Sequence, residues 1–268
     1  MAKKNEIELV EAARTGDTRA LEELLNLHEK QIYRFGLRMC GTEDDAKEVL
    51  QETLLSAFQG IHAFRGDAEL STWLYQVARS HCSRIVRKRA RGPEDSLELE
   101  SASDTVAHEG PTPDQESHAR QVGEVLSVAI GALPENLREA LILRDVEGLT
   151  AEEAAAVVGI EVRALKSRLH RARLKVREHL AALLGAEGDA GGPSCPELAE
   201  ELAAYAGKEI DQSACLQIED HLGRCPACAD ACEDLKRTVS LCRRIPGDAV
   251  PAPVRSAVRQ ALTRAALG

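Results

Sequence analysis

"GLTAEEAAAVVGIEVRALKSRLHRARLKVREHL", Gly148–Leu180, decides how this chain is read. Thr150 is followed three residues later by Glu153, the reciprocal pair that caps a helix start. Gly159 then breaks the alanine-rich run and supplies a turn. From Val162 onward, Val162, Leu165, Leu169, Ala172 and Val176 recur at helical spacing and predict a second helix with one buried stripe. At 100° per residue its opposite face carries Arg163, Ser167, His170 and Arg171, flanked by Lys166, Arg168 and Arg173. A capped helix, a glycine turn and a basic helix form a helix-turn-helix. Its second helix suits the major groove, where Arg pairs with guanine and Lys holds phosphate. A basic stripe alone is usually just a solvated face; the cap and turn are what favour DNA.

The residues around this motif predict more helices. Ala, Leu, Glu and Arg dominate, and β-strand signals are scarce, so an all-α protein is expected. "TEDDAKEVLQETLLSAFQGI", Thr42–Ile61, opens with Thr42 and Asp45 as a variant capping box. Its stripe is Ala46, Val49, Leu50, Leu54, Ala57, Phe58 and Ile61, with Asp45, Glu48 and Glu52 opposite. "STWLYQVARSHCSRIVRKRAR", Ser71–Arg91, has Ser71 as its expected N-cap. It buries Trp73, Leu74, Val77, Ala78, Cys82 and Ile85 and exposes Arg79, Ser80, Ser83, Arg84, Arg87 and Lys88.

The formal net charge of −10 argues against a polyanion partner until its distribution is seen. Residues 79–91 carry six Lys/Arg and no acid, and residues 162–177 carry seven and none. Between them, residues 92–118 carry eight Asp/Glu and no Lys/Arg. Two basic helices joined by an acidic, Gly/Pro-containing tether imply two contacts with nucleic acid. The organisation expected is a helical domain at 8–91, an acidic linker at 92–118 and a helix-turn-helix domain at 119–184. A Gly-rich linker at 185–194, a Cys-rich unit at 195–245 and an amphipathic tail at 246–268 follow. No apolar run of about 20 residues is present, and "MAKKNEIE" does not begin a secretory signal, so a cytoplasmic protein with reduced thiols is expected.

Six of the eight cysteines fall between Cys195 and Cys242. In "HLGRCPACADAC", His221–Cys232, Gly223 and Pro226 suggest that one helix ends and another begins with Pro226 at its first position. Cys225 then sits at a helix N-terminus, which lowers a thiol pKa and favours the thiolate a metal needs. Cys195-Pro196 repeats that arrangement. Cys195, His221, Cys225 and Cys228 make a Cys3His set sufficient for tetrahedral zinc. Cys215, Cys232 and Cys242 are additional candidates, and a thiolate-rich site would also suit copper or cadmium. Cys215 lies about 120° from His221 on a straight helix and Cys242 about 21 Å beyond Cys228, so neither fits one shared site easily. Cys40 and Cys82 fall on apolar faces and read as core. The chain has no phosphate-binding Gly-rich loop and no nucleophile–base set, and no enzyme is expected.

These motifs resemble a known family. "ALPENLREALILRDVEGLTAEEAAAVVGIEVRALKSRLHRARLKVREHL" is similar to the −35-binding domain of extracytoplasmic-function (ECF) sigma factors. "DDAKEVLQETLLSAF" resembles their helix for the RNA polymerase clamp, and "FRGDAELSTWLYQVARSHCSRIVRKR" their −10-reading loop and melting helix. The resemblance implies that Asp45, Glu48, Gln51 and Glu52 face core polymerase. It implies that Phe64, Arg65, Arg79, Ser80, Arg84, Arg87 and Lys88 meet the −10 strand, and that Arg163, Lys166, Ser167, His170 and Arg171 meet the −35 element. The loop from Phe64 to Ser71 would take a flipped base, while Trp73 reads as core. "CPELAEELAAYAGKEIDQSACLQIEDHLGRCPAC" resembles the zinc-binding anti-sigma domain, here fused to its target. That architecture is similar to the CorE-like sigma factors, whose Cys-rich tails respond to copper or cadmium. The expectation is a sigma factor that contacts core polymerase and promoter DNA and is regulated in cis by a metal-responsive tail docking on its sigma domains. A purely structural or redox-sensing zinc site is one alternative. A helix-turn-helix regulator that never binds polymerase is another.

Overall fold

Twelve α-helices account for nearly all the regular structure in the computed structural model, which describes residues 2–66, 68–90, 123–183, 195–245 and 249–267. Among these residues there is no strand. The linkers expected at 92–118 and 185–194 lie outside the described residues. Helix α1 is Ala2–Arg14, α2 Thr18–Cys40, α3 Glu43–Gly60 and α4 Leu70–Ala90. Asp17 caps α2 by accepting from the backbone N–H groups of Arg19 and Ala20, and Gly41 ends it at φ 86°. Thr42 caps α3 by accepting from the Asp45 N–H. Helix α4 starts at Leu70, one residue before the cap expected at Ser71. Gly36 lets α2 press against α3, because a Cβ there would lie 3.3 Å from Ala46 and Val49.

The second group begins with α5 over residues 123–131. Helix α6, Glu135–Leu141, widens into a π-turn at Ile142–Val146. Helix α7 is Ala151–Val158, and its capping box joins Thr150 and Glu153 in both directions. Gly159 adopts φ 76° and turns the chain into α8, Val162–Leu183. The helix-turn-helix therefore forms where the capping and turn residues place it.

In the Cys-rich segment a 3-10 turn at Pro196–Leu198 leads into α9, Ala199–Gly207. Helix α10 is Gln212–Leu222, α11 Pro226–Arg244 and α12 Ala252–Leu267. Pro226 occupies the first turn of α11 and Cys225 stands at its N-cap position, with no capping hydrogen bond from its side chain. One large core runs through α1–α8 and takes in Cys242 of α11 and Val250, Val254, Val258 and Leu262 of the tail. A second core is much smaller. Its buried members are Leu202, Ile218, Cys228 and Cys232.

Candidate metal centre and promoter-facing helices

Cys195, His221, Cys225 and Cys228 converge, with ligand atoms all within 4.8 Å of one another. Cys195 comes from the segment before α9, His221 from the last turn of α10, and the other two from the start of α11. The break at Gly223–Pro226 makes this possible by turning α11 back so that its first residues face the end of α10. Cys228 is fully buried and the other three are half-buried. All eight cysteines are thiols rather than disulfides. His221 Nε2 is buried without a hydrogen-bond partner, as an imidazole is when a metal is its intended contact. Tetrahedral zinc, with Zn–S near 2.3 Å, would need ligand atoms about 3.8 Å apart. The donor set fits such an ion after a small contraction, so this Cys/His cluster could hold a metal.

The other three candidate cysteines lie outside that set. Cys215 Sγ is 3.5 Å from Glu219 Oε1, which also accepts from the Tyr205 hydroxyl at 3.2 Å. Cys232 is buried in the small core, and burial raises its thiol pKa. Cys242 belongs to the large core, where burial first and then Asp145 raise its thiol pKa far above the ordinary value.

The Cys/His cluster is tied to α8 through α9. Arg173, on α8, is 1% exposed. Its guanidinium donates to both carboxylate oxygens of Asp145 at 2.8 and 2.7 Å, to the Ala203 carbonyl at 2.8 Å and to Glu209 at 3.0 Å. Arg144 lies 3.0 Å from the same Glu209 carboxylate. Burial alone would lower the Arg173 pKa, but the two carboxylates outweigh it and hold the guanidinium charged. Gly207 packs so closely that a Cβ would stand 2.5 Å from the guanidinium. Lys166 Nζ also reaches the Glu209 carbonyl, at 3.4 Å.

This docking changes the expected face of α8. Arg163, Lys166 and Arg171 are exposed and Ser167 is half-buried. His170 is instead 8% exposed, and its Nδ1 is buried with no hydrogen-bond partner. The helical wheel assumes one buried face, whereas α9 and α11 pack against α8 from a second side.

On α4, Arg84, Arg87, Lys88 and Ser80 are exposed. Arg79 is paired with Glu139 of α6. Phe64 is buried against Trp73 with ring centroids 5.4 Å apart, and Arg65 is exposed. On α3, Glu48 is exposed while Asp45, Gln51 and Glu52 are half-buried, and Asp45 pairs with Arg89. The contacts between the two helical groups, Arg79–Glu139 and Arg34–Glu147 among them, had no local signal in the sequence.

Comparison with known proteins agrees with the layout of the first two groups. A sigma-70 region 2 family matches residues 24–92, and a sigma-70 region 4 family matches residues 124–176. The RNA polymerase sigma-H factor of Pseudomonas aeruginosa is 31% identical over 69% of this chain and 98% of its own length. The ECF RNA polymerase sigma factor SigE of Mycolicibacterium smegmatis is 32% identical over 62% of this chain, which spans 65% of that relative. The chain belongs to the ECF sigma factors, which bind core RNA polymerase and promoter DNA to initiate transcription and are not enzymes. The reading as a regulator that never binds polymerase falls with that membership. Among solved structures, the sigma factor RpoE bound to the anti-sigma factor NepR from Bartonella quintana is similar over 62% of this chain and 98% of its own, at 27% identity and TM-score 0.49. CnrH bound to the cytosolic domain of CnrY is similar over 69% and 99%, at 24% identity and TM-score 0.49. Residues 195–267 lie outside both family matches. Among the described residues no helix is long and apolar enough to cross a membrane.

Proposed function

We propose that this sigma factor is regulated in cis by residues 195–245, which bind a metal through Cys195, His221, Cys225 and Cys228. The observation that carries the reading is the Arg173 clasp. A buried arginine of the −35 helix is held by the Ala203 carbonyl of α9 and by the Glu209 side chain just after it, and the other end of α9 starts beside the Cys/His cluster. Metal binding knots the start of α9 to α10 and α11. Loss of the metal loosens α9, and with it the hold on α8. Binding free energy at such a site becomes folding free energy, and a ligand shifts an equilibrium by its differential affinity for the two states. Arg163, Lys166, Ser167 and Arg171 then meet the −35 element, His170 joins them once α9 leaves, and Arg79, Ser80, Arg84, Arg87 and Lys88 meet the −10 strand beside Phe64 and Arg65. Copper(I), cadmium and zinc all suit the donors. The protein works in the cytoplasm, with core polymerase.

The test uses metal-stripped, reduced protein with core polymerase and the DNA upstream of its own gene. Transcription is measured as copper, cadmium or zinc is added singly. A metal-dependent change that disappears on truncation at residue 190 supports the reading. Equal transcription under every condition leaves a second reading, in which zinc is structural. The small core favours that reading, because Leu202, Ile218, Cys228 and Cys232 bury too little to hold α9, α10 and the start of α11 together without a staple.

A further inference from the structure

A group of cations without counterions lies at the end of α9 opposite the Cys/His cluster. Residues 195–245 carry ten Asp/Glu and six Lys/Arg. Arg224 and Arg237 find carboxylates within one turn of their own helices. Lys208, Lys236 and Arg243 instead line one cleft between α9 and α11, with a volume of about 460 Å³. Among the described residues none of these three is ion-paired. Gathering three like charges where carboxylates are in excess costs free energy unless an anion joins them. The cleft has the size of a small-molecule site. Tyr205, Ser240 and the buried Val239 complete its lining.

Two features set this cleft apart from a solvated surface. Lys208 closes α9 at φ 61°, in the left-handed region where glycine is the ordinary choice and a side chain is strained. It is the one non-glycine residue with positive φ among the described residues, and it lines the cleft. The C-terminus of α9 attracts cations, and Arg243 donates to the Gly207 carbonyl there at 3.4 Å. That does not account for Lys236, which stands 4.8 Å from the centre of the Tyr205 ring. We infer that the cleft binds a small phosphorylated molecule. Its oxyanion sits among Lys208, Lys236 and Arg243, where charge-assisted hydrogen bonds hold it, and its organic part lies against Tyr205 and Val239. A recess between two helices with a buried apolar residue in its lining suits a small ligand better than a nucleic-acid strand. The cleft also adjoins the Arg173 clasp. Gly207 and Glu209 flank Lys208, the first packed on the Arg173 guanidinium and the second bonded to it. An occupant therefore fixes the Gly207–Glu209 corner and strengthens the hold of α9 on α8, whether or not the Cys/His cluster senses metal.

The experiment is isothermal titration calorimetry of the full-length, reduced protein with inorganic phosphate, adenosine monophosphate and adenosine. Saturable binding of adenosine monophosphate is expected, with inorganic phosphate weaker and adenosine inert. Lys208→Gly should weaken binding about tenfold, the share of one charge-assisted contact. Glycine keeps the left-handed turn, so a folding defect cannot mimic the lost contact. Lys236→Gln and Arg243→Gln should act in the same way. Hydrogen exchange should show adenosine monophosphate protecting residues 204–210 in the unaltered protein. Equal affinity for inorganic phosphate and adenosine monophosphate upholds the site and assigns it to the free anion. Binding that is undiminished in Lys208→Gly and Lys236→Gln but weakened in Arg163→Gln puts the phosphate on the −35 helix and overturns the inference. So does the absence of saturable binding of either phosphate compound up to millimolar concentrations.

Discussion

Arg79 of α4 is held by Glu139 of α6, which joins the sigma region 2 helices to those of region 4. The Glu139 side chain is 5% exposed and the Arg79 side chain 33%. Burial raises the Glu139 carboxyl pKa, and Arg79 offsets only part of that rise. Neighbouring contacts follow the same pattern. Ser83 donates to Glu135 at 3.3 Å, and Gln76 to the Ala156 carbonyl at 2.9 Å. Arg34 Nε donates to Glu147 at 2.7 Å and the Tyr75 hydroxyl to the same residue at 2.9 Å. Carboxylates of the region 4 helices thus lie against the region 2 helices.

Replacing Glu139 with Gln should free Arg79 without opening a cavity. Binding of a single-stranded −10 oligonucleotide should strengthen several-fold, and its salt dependence should steepen by about 0.7 in log–log slope, the share of one added phosphate contact. Fluorescence anisotropy across a salt series reads both quantities. A gain in affinity with no change in slope would mean that Arg79 is not the released group.

Arg173→Ala should cost about 3–5 kcal/mol of stability, because it leaves Asp145 of the π-turn buried without its cation, and it also removes the guanidinium contacts to Ala203 and Glu209 that tie α9 to α8. Lys at 173 should rescue little, since an ammonium cannot grip both Asp145 oxygens and still reach Ala203 and Glu209. Hydrogen exchange should show residues 199–222 losing protection while α2–α4 keep theirs.

The local parts of this arrangement were legible in the sequence. Thr150 with Glu153 and Gly159 fixed the helix-turn-helix, and Pro226 fixed the break that gathers the Cys3His set. Each depends on residues a few positions apart, where capping and turn chemistry act. The clasp is different in kind, since Arg173 meets Asp145 28 residues away and Glu209 36 away. No periodicity marks such a pair. The π-turn at Ile142–Val146, which positions Asp145, left no local signal either. His170 was placed on the exposed face because a helical wheel cannot foresee a third unit covering the same helix. The tail read as an amphipathic helix, but nothing in its sequence said which groove would bury Val254, Val258 and Leu262.

Serine at Cys225 or Cys228 should abolish zinc uptake and melt residues 195–222 without unfolding α1–α8. The cause is the small core, where Cys228 is itself one of the buried members. A chelator should do the same to the unaltered protein. Circular dichroism should lose a fraction of its helical signal in a separate, metal-dependent transition. A single cooperative transition that ignores the chelator would show that the large core alone holds the unit.

Acid should loosen the docking through His170. Burial lowers its pKa, with Arg173 and Arg171 acting in the same direction against Glu200 and Glu201. A histidine whose folded pKa lies below its unfolded value binds more protons when released. Its contribution is therefore fully present above the unfolded pKa, about 6.5, and is lost as pH falls below that value toward the lower folded pKa. Alkylation of Cys242 provides the readout, because that thiol is buried beside Asp145 and Arg173 and reacts only when the tail departs. Peptide-level mass spectrometry should find Cys242 labelling, corrected for thiolate fraction, rising as pH falls from 7 to 5.5. His170→Gln should flatten that rise because its side chain carries no titrating proton. An equal rise in both proteins would move the acid sensitivity away from α8.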